Sequence, residues 1–287
     1  MNEIIIEEIS KDLDISKKQV MTVLKLLEEG NTIPFIARYR KEVTGALNEE
    51  VIKSIDDVYQ YQVNLMKRKE DVIRLIDEKG LLTDELKTSI MKCTKLVEVD
   101  DLYRPYKEKK KTKATDAINN GLEPLAKIIM SCPTKGDIKL IASKYLNDKV
   151  KSVEDAVTGV KYIIAEWTSD NAYYRKWIRS YIFKERVIVS KLKKNAVDEN
   201  NTYSNYYDFS EQVKYIKPHR ILALNRGEKE GVLSVKLDYD VEKIVTYLET
   251  KVIKNKESFC YPIIMDAIND SLKRLILPSV DREVRSE

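Results

Sequence analysis

A chain of 287 residues, 34% of them charged and only eight of them glycine, has room for one or two domains with a sizeable core and favours long helices over turn-rich sheet. Its net charge of +4 is too small for an overall field that attracts nucleic acid, so any such attraction has to come from local patches. The longest apolar runs, such as residues 187–189 and 275–277, fall far short of the roughly 20 residues of a membrane span. The acidic start is unlike a signal peptide, and three widely spaced cysteines (Cys93, Cys132, Cys260) fit reduced thiols of a cytoplasmic protein.

Residues 16–29 place Val20, Val23, Leu24 and Leu27 on one helical face, and Gly30 supplies the stop. The helix that follows carries the most information. Thr32 is suited to the N-cap, Pro34 falls in the first turn where its missing N–H costs nothing, and Gly45 follows the last periodic residue as a C′ stop. It is expected to present Arg38, Arg40 and Lys41 around an apolar side of Ile33, Phe35, Ile36 and Tyr39. Two short helices joined by Gly30-Asn31 resemble a helix-turn-helix, a pattern shared by simple packed neighbours in an all-helical domain. Asn48 then caps a helix expected over residues 49–79. There Val51, Ile55, Val58, Gln62, Leu65, Lys69, Val72 and Ile76 alternate steps of four and three beside a second stripe of Ile52, Tyr59, Met66 and Ile73. The width of the stripe, with Gln62 and Lys69 in its seam, favours burial by helices of the same chain over a self-assembling coiled coil.

Shorter helices are expected from Thr83 toward Lys95, over residues 97–103 and over residues 122–130. Lys107-Glu-Lys-Lys-Lys-Thr-Lys113 brackets one glutamate with five lysines next to Tyr103 and Tyr106, an electropositive strip beside stackable rings; the competing reading is a solvated lysine loop. From Ser152 a strong helix presents Val153, Ala156, Val157, Val160, Ile163, Ile164 and Trp167. Asp170 is expected to start the next, with Tyr173, Tyr174, Trp177, Ile178 and Tyr181 as its buried side. Aromatic residues at helical spacing read as core rather than as a stacking platform. After Phe183 the β-branched stretches Arg186-Val-Ile-Val-Ser and Gly231-Val-Leu-Ser-Val-Lys-Leu-Asp-Tyr read as two strands. Residues 194–205 read as a loop, residues 218–226 as a short helix closed by Gly227, and helix returns from Val241. The expected architecture is mainly α, with a helix-turn-helix-like N-terminal part, a long central helix and a small two-stranded β element, divided at residues 1–183 and 184–287.

Residues 30–50, Gly-Asn-Thr-Ile-Pro-Phe-Ile-Ala-Arg-Tyr-Arg-Lys-Glu-Val-Thr-Gly-Ala-Leu-Asn-Glu-Glu, resemble the N-terminal signature of the bacterial Tex family of transcription accessory proteins. Asp101-Leu-Tyr-Arg-Pro-Tyr-Lys with Lys111-Thr-Lys-Ala-Thr and Gly121-Leu-Glu-Pro-Leu-Ala is similar to a second family signature. A third is matched by His219-Arg-Ile-Leu-Ala-Leu-Asn-Arg-Gly-Glu with Glu230-Gly-Val-Leu-Ser-Val, and residues 270–285 look like the helix that leads into the family's RNase H-like domain. The resemblance covers essentially the whole chain. It implies an N-terminal fragment of a longer protein whose RNase H-like, helix-hairpin-helix and S1 RNA-binding domains lie beyond residue 287. In the family, RNA binding is attributed mostly to that S1 domain.

No pattern of catalysis stands out. His219 is the only histidine, and there is no Gly-rich phosphate loop, Gly-x-Ser-x-Gly elbow or Cys/His cluster with metal spacing. The expectation is therefore no enzymatic activity and no cofactor or metal. Candidate nucleic-acid contacts are Arg38, Arg40 and Lys41, and Lys107, Lys109, Lys110, Lys111 and Lys113. For the first three the competing role is pairing with Glu42, Glu49 or acidic residues of a neighbouring helix. Expected partners are RNA or DNA, mostly through the family's further domains, and the transcription machinery, with no membrane. The alternative is a docking module for that machinery with no nucleic-acid binding of its own.

Overall fold

A computed structural model describes residues 3–108 and 111–286; Met1, Asn2, Lys109, Lys110 and Glu287 lie outside the described residues. The described chain is mainly helical, and its compact units divide between Tyr103 and Arg104. The expected change of character after Phe183 falls inside the second unit, where a helix turns into the sheet.

In the first unit, α1 (Glu3–Asp12) and α2 (Lys17–Glu28) are followed by α3 (Ile33–Tyr39), α4 (Lys41–Thr44) and the long α5 (Glu49–Asp77), then α6 (Asp84–Met91) and α7 (Leu96–Tyr103). Ser16 and Gln19 form a capping box at the start of α2, and the Asn48 side chain accepts from the Val51 N–H at the start of α5. Ile5, Ile6 and Ile9 of α1, Val20, Val23 and Leu24 of α2, Ile36 of α3, and Ile52 and Ile55 of α5 share one core. Farther along, Leu65, Val72 and Ile76 bury the second half of α5, which packs on α6 and α7. The helix is continuous over 29 residues, about 43 Å at 1.5 Å per residue, and helices of the same unit cover it. The polar seam position Lys69 donates from its ammonium to the Met91 carbonyl at 2.9 Å, placing a cation on the C-terminal end of α6.

The second unit opens with a short 3-10 turn (Arg104–Tyr106) and continues through α8 (Lys113–Asn119), α9 (Glu123–Met130), α10 (Ile138–Ser143), α11 (Val153–Asp170) and α12 (Ala172–Glu185). Next come β1 (Val187–Leu192), β2 (Asp208–Gln212), α13 (Pro218–Lys229), β3 (Leu233–Asp238) and α14 (Val241–Val252). The unit ends with α15 (Tyr261–Asp270), which runs through a π-helical segment (Ser271–Ile276) into α16 (Leu277–Ser286). The core gathers around α11, whose Ala156, Val160, Ile163 and Ile164 are buried among residues of α8, α9, α12, α14, α15 and α16. Arg175 of α12 is fully buried and donates to Ser279 Oγ (2.9 Å) and Glu283 Oε1 (3.4 Å) of α16, with Arg179 adding a 2.6 Å bond to Glu283 Oε2.

Four expectations are corrected. The β element has three strands rather than two, antiparallel in the order β2-β1-β3, with Ser190 of β1 opposite Phe209 and Val235. The extra strand, Asp-Phe-Ser-Glu-Gln, is polar and poor in β-formers, and its pairing to β1 is what makes it a strand. Gly227 does not close α13 but lies within it, at its contact with β3, and Gly231 at φ +78° follows the helix instead. Asn171 rather than Asp170 caps α12, accepting from the N–H groups of Tyr173 and Tyr174. Of the residues expected on the buried side of α12, only Ile178 is buried; Tyr174, Trp177 and Tyr181 are half-buried and Tyr173 is 77% exposed.

Candidate nucleic-acid interface

The signature segment is not one helix. It breaks at Arg40, whose φ of −124° and ψ of 23° leave the helical region, so that α3 hands over to the single turn α4. The break is accompanied by the burial of Thr44. Its hydroxyl donates to the Arg40 carbonyl at 3.0 Å, and the Gln19 amide of α2 donates to the Thr44 carbonyl, also at 3.0 Å. Gly45 then turns away at φ +71°, and a Cβ there would sit 2.7 Å from Gln19 Nε2, so the glycine serves both the left-handed turn and a close approach. Thr32 takes the N-cap position but makes no side-chain cap bond, which leaves Pro34 as the local start signal.

This geometry anchors α3 through Ile36, with Ile33 and Phe35 half-buried, and turns Arg38, Tyr39, Arg40 and Lys41 to solvent. Tyr39, expected on the apolar side, is 67% exposed because the break at Arg40 follows it directly. Its ring lies 5.2 Å from that of Phe35, and the Arg40 guanidinium sits 5.2 Å above the same Phe35 ring. Among the described residues none of Arg38, Arg40 and Lys41 forms an ion pair, so the competing role of pairing with Glu42 or Glu49 is not what the structure shows. Three exposed cations and an exposed ring thus follow one another along residues 38–41. Such a segment offers guanidinium forks to phosphates and an aromatic face to a base or an apolar side chain.

The lysine strip fares differently. Lys109 and Lys110 lie outside the described residues. Lys113 begins α8 with its ammonium 4.8 Å from the Tyr162 ring centroid and 3.3 Å from the Tyr162 hydroxyl. Lys107 is exposed and lines a depression together with Glu166, Trp167 and Asp170. Lys111 is exposed. Tyr103 is buried, with the Arg68 guanidinium 5.5 Å from its ring, so it is not a stackable neighbour of the strip. The two sets of cations belong to different compact units. Sequence periodicity missed that Tyr174, Trp177, Tyr181 and Tyr247 meet at a surface; the only signal was the density of rings in residues 173–181.

Residues 3–77 match the profile of the Tex-like protein N-terminal domain, and residues 135–285 match that of the Tex central region. The chain is 48% identical over 284 residues to a Bacillus subtilis protein named uncharacterized protein YdcI, an alignment covering 98% of this chain and 40% of that protein. It is 34% identical over 231 residues to the transcriptional accessory protein Tex of Neisseria gonorrhoeae, covering 80% of this chain and 30% of that one. To the human S1 RNA-binding domain-containing protein 1 it is 29% identical over 304 residues, covering all of this chain and 30% of that protein. The chain therefore spans two fifths or less of the length of these relatives. Two matches in chain order, the second across more than half of the residues, show that this chain belongs to the Tex-like protein family.

Proposed function

We propose that this chain is the helical scaffold of a Tex-like transcription accessory protein and that its α3–α4 surface contributes to association with RNA or DNA. The observation that carries the reading is the exposure of Arg38, Arg40 and Lys41 beside Tyr39 with no carboxylate partner among the described residues. Cations left unpaired on a weakly charged protein are available to displace counterions from a phosphate backbone. The relatives' printed names, a transcriptional accessory protein and an S1 RNA-binding domain-containing protein, agree with that chemistry. The role proposed is binding and positioning rather than catalysis. Among the described residues no three His, Cys, Asp or Glu side chains gather as a metal site would require, and His219 is exposed at the start of α13.

The test is binding of the chain to single- and double-stranded RNA and DNA across a salt series. Affinity that falls as salt rises, and that weakens on changing Arg38, Arg40 and Lys41 together to alanine, supports the reading. The exposed Tyr39 and Val43 of the same segment favour a second reading, docking to a protein of the transcription machinery. Salt-insensitive capture of such a partner, with no binding to nucleic acid, would favour docking.

A further inference from the structure

In the second unit α12 and α14 bring four rings together at the surface. Trp177 stacks on Tyr247 with 3.7 Å between centroids and 7° between planes, and on Tyr181 at 5.4 Å and 2°. Tyr174 meets Tyr247 edge-on at 6.3 Å, and its hydroxyl donates to the Lys251 carbonyl at 3.4 Å. None of these rings is buried, although each packs on the core along one side. The Lys243 ammonium lies over the Tyr181 ring and that of Lys251 over the Tyr247 ring, each 6.0 Å from the centroid. Both lysines are exposed, and neither has a carboxylate partner among the described residues.

Two features set this ladder apart from ordinary core packing. Aromatic pairs in cores favour offset or edge-to-face contacts, whereas near-parallel rings at 3.7 Å reproduce the spacing of stacked bases. Cations at 6.0 Å are at the outer limit of attraction to a ring, so they can swing to a phosphate with little loss.

We propose that the Tyr181–Trp177–Tyr247 ladder is a stacking platform for an unpaired segment of nucleic acid, with Lys243 and Lys251 taking its phosphates. The proposal rests on the nucleic-acid reading of the chain and adds a site in a different unit from the α3–α4 patch. A single strand fits better than a duplex because its bases are free to stack on rings. The strand should run nearest the Tyr247 end. At the other end Glu185 and Asp240 add negative charge near Tyr181, whereas Glu249 is already held by Lys256 and the Tyr261 hydroxyl.

Trp167 and Trp177 are the only tryptophans, so the platform carries its own optical probe. Titrating the chain with a short oligouridine should quench its fluorescence saturably, and duplex RNA of equal phosphate content should quench it far less. Trp177→Phe should abolish the saturable quench. Tyr247→Leu should weaken oligouridine binding roughly 5-fold or more, and Lys243→Ala with Lys251→Ala should lower the salt slope by about 0.7 per lost contact. The lysine pair is on the surface and tests the idea even if Tyr247→Leu fails to fold. Equal quenching by duplex, or parent affinity in the lysine variant while the Arg38, Arg40 and Lys41 variant loses binding, would overturn the platform and leave the scaffold reading intact. No binding of any nucleic acid by the parent chain would overturn both.

Discussion

At the scale of single residues, backbone proximity decides more than chemical type. Gly227 sits where a Cβ would meet Leu233 Cδ1 at 2.6 Å, Leu233 Cγ at 2.9 Å and Tyr203 Cδ1 at 3.0 Å, so the absence of a side chain there permits the close approach of Leu233 and Tyr203. Gly227→Ala is expected to cost about 1–3 kcal/mol through overpacking, although alanine favours helix, and chemical denaturation checks it. Glu7 illustrates electrostatics without burial. Hydrogen bonds from the Lys11 and Lys17 ammonium groups, with their charges, hold its carboxyl at about 2. Because the folded value is depressed, its contribution to stability is present above the unfolded value of 4.5 and is lost as pH falls through that value toward about 2. A carboxyl-carbon NMR titration should show the low midpoint, and Lys17→Ala or added salt should raise it.

Among the elements, α5 and α16 carry the clearest consequences. Leu65, 2% exposed midway along α5, fills the stretch between the core near α1–α3 and the packing on α6 and α7. Leu65→Ala should lower stability by about 2–5 kcal/mol, and an unchanged melting temperature would contradict the packing described. In α16, Glu283 partners Arg175, which is fully enclosed, and Arg179. Glu283→Ala removes a carboxylate that accepts from both Arg175 and Arg179, and a loss on the order of 3 kcal/mol is expected in a denaturation midpoint. Glu283→Gln, which keeps hydrogen-bonding capacity, should lose less.

On the scale of the whole molecule, a net charge of +4 means that binding depends on where the cations stand. Changing Arg38, Arg40 and Lys41 to alanine should weaken binding by a similar factor for every nucleic-acid sequence, with the salt slope falling by about 0.7–0.9 per lost contact. Loss for one sequence only would indicate base readout instead. The purified chain is expected to leave RNA and DNA uncut in the presence of divalent metal, and cleavage abolished by a single acidic substitution would contradict the non-catalytic reading. Local signals in the sequence placed several of the helix starts: Asn48, Thr83 and Ser152 cap where their side chains suggest, and the two stripes of α5 are turned into the protein along its length. Periodicity and caps act within a few residues, so they survive translation from sequence to fold. Contacts between distant residues do not. The strand status of Asp208–Gln212 comes from β1, the break at Arg40 accompanies the burial of Thr44 beside Gln19, and the ring ladder joins Trp177 to Tyr247 across 70 positions. The sequence by itself determined a helical family member with candidate cations; their surroundings were decided only by tertiary packing, which set Lys113 against the Tyr162 ring and left Arg38, Arg40 and Lys41 exposed with no ion pair among the described residues.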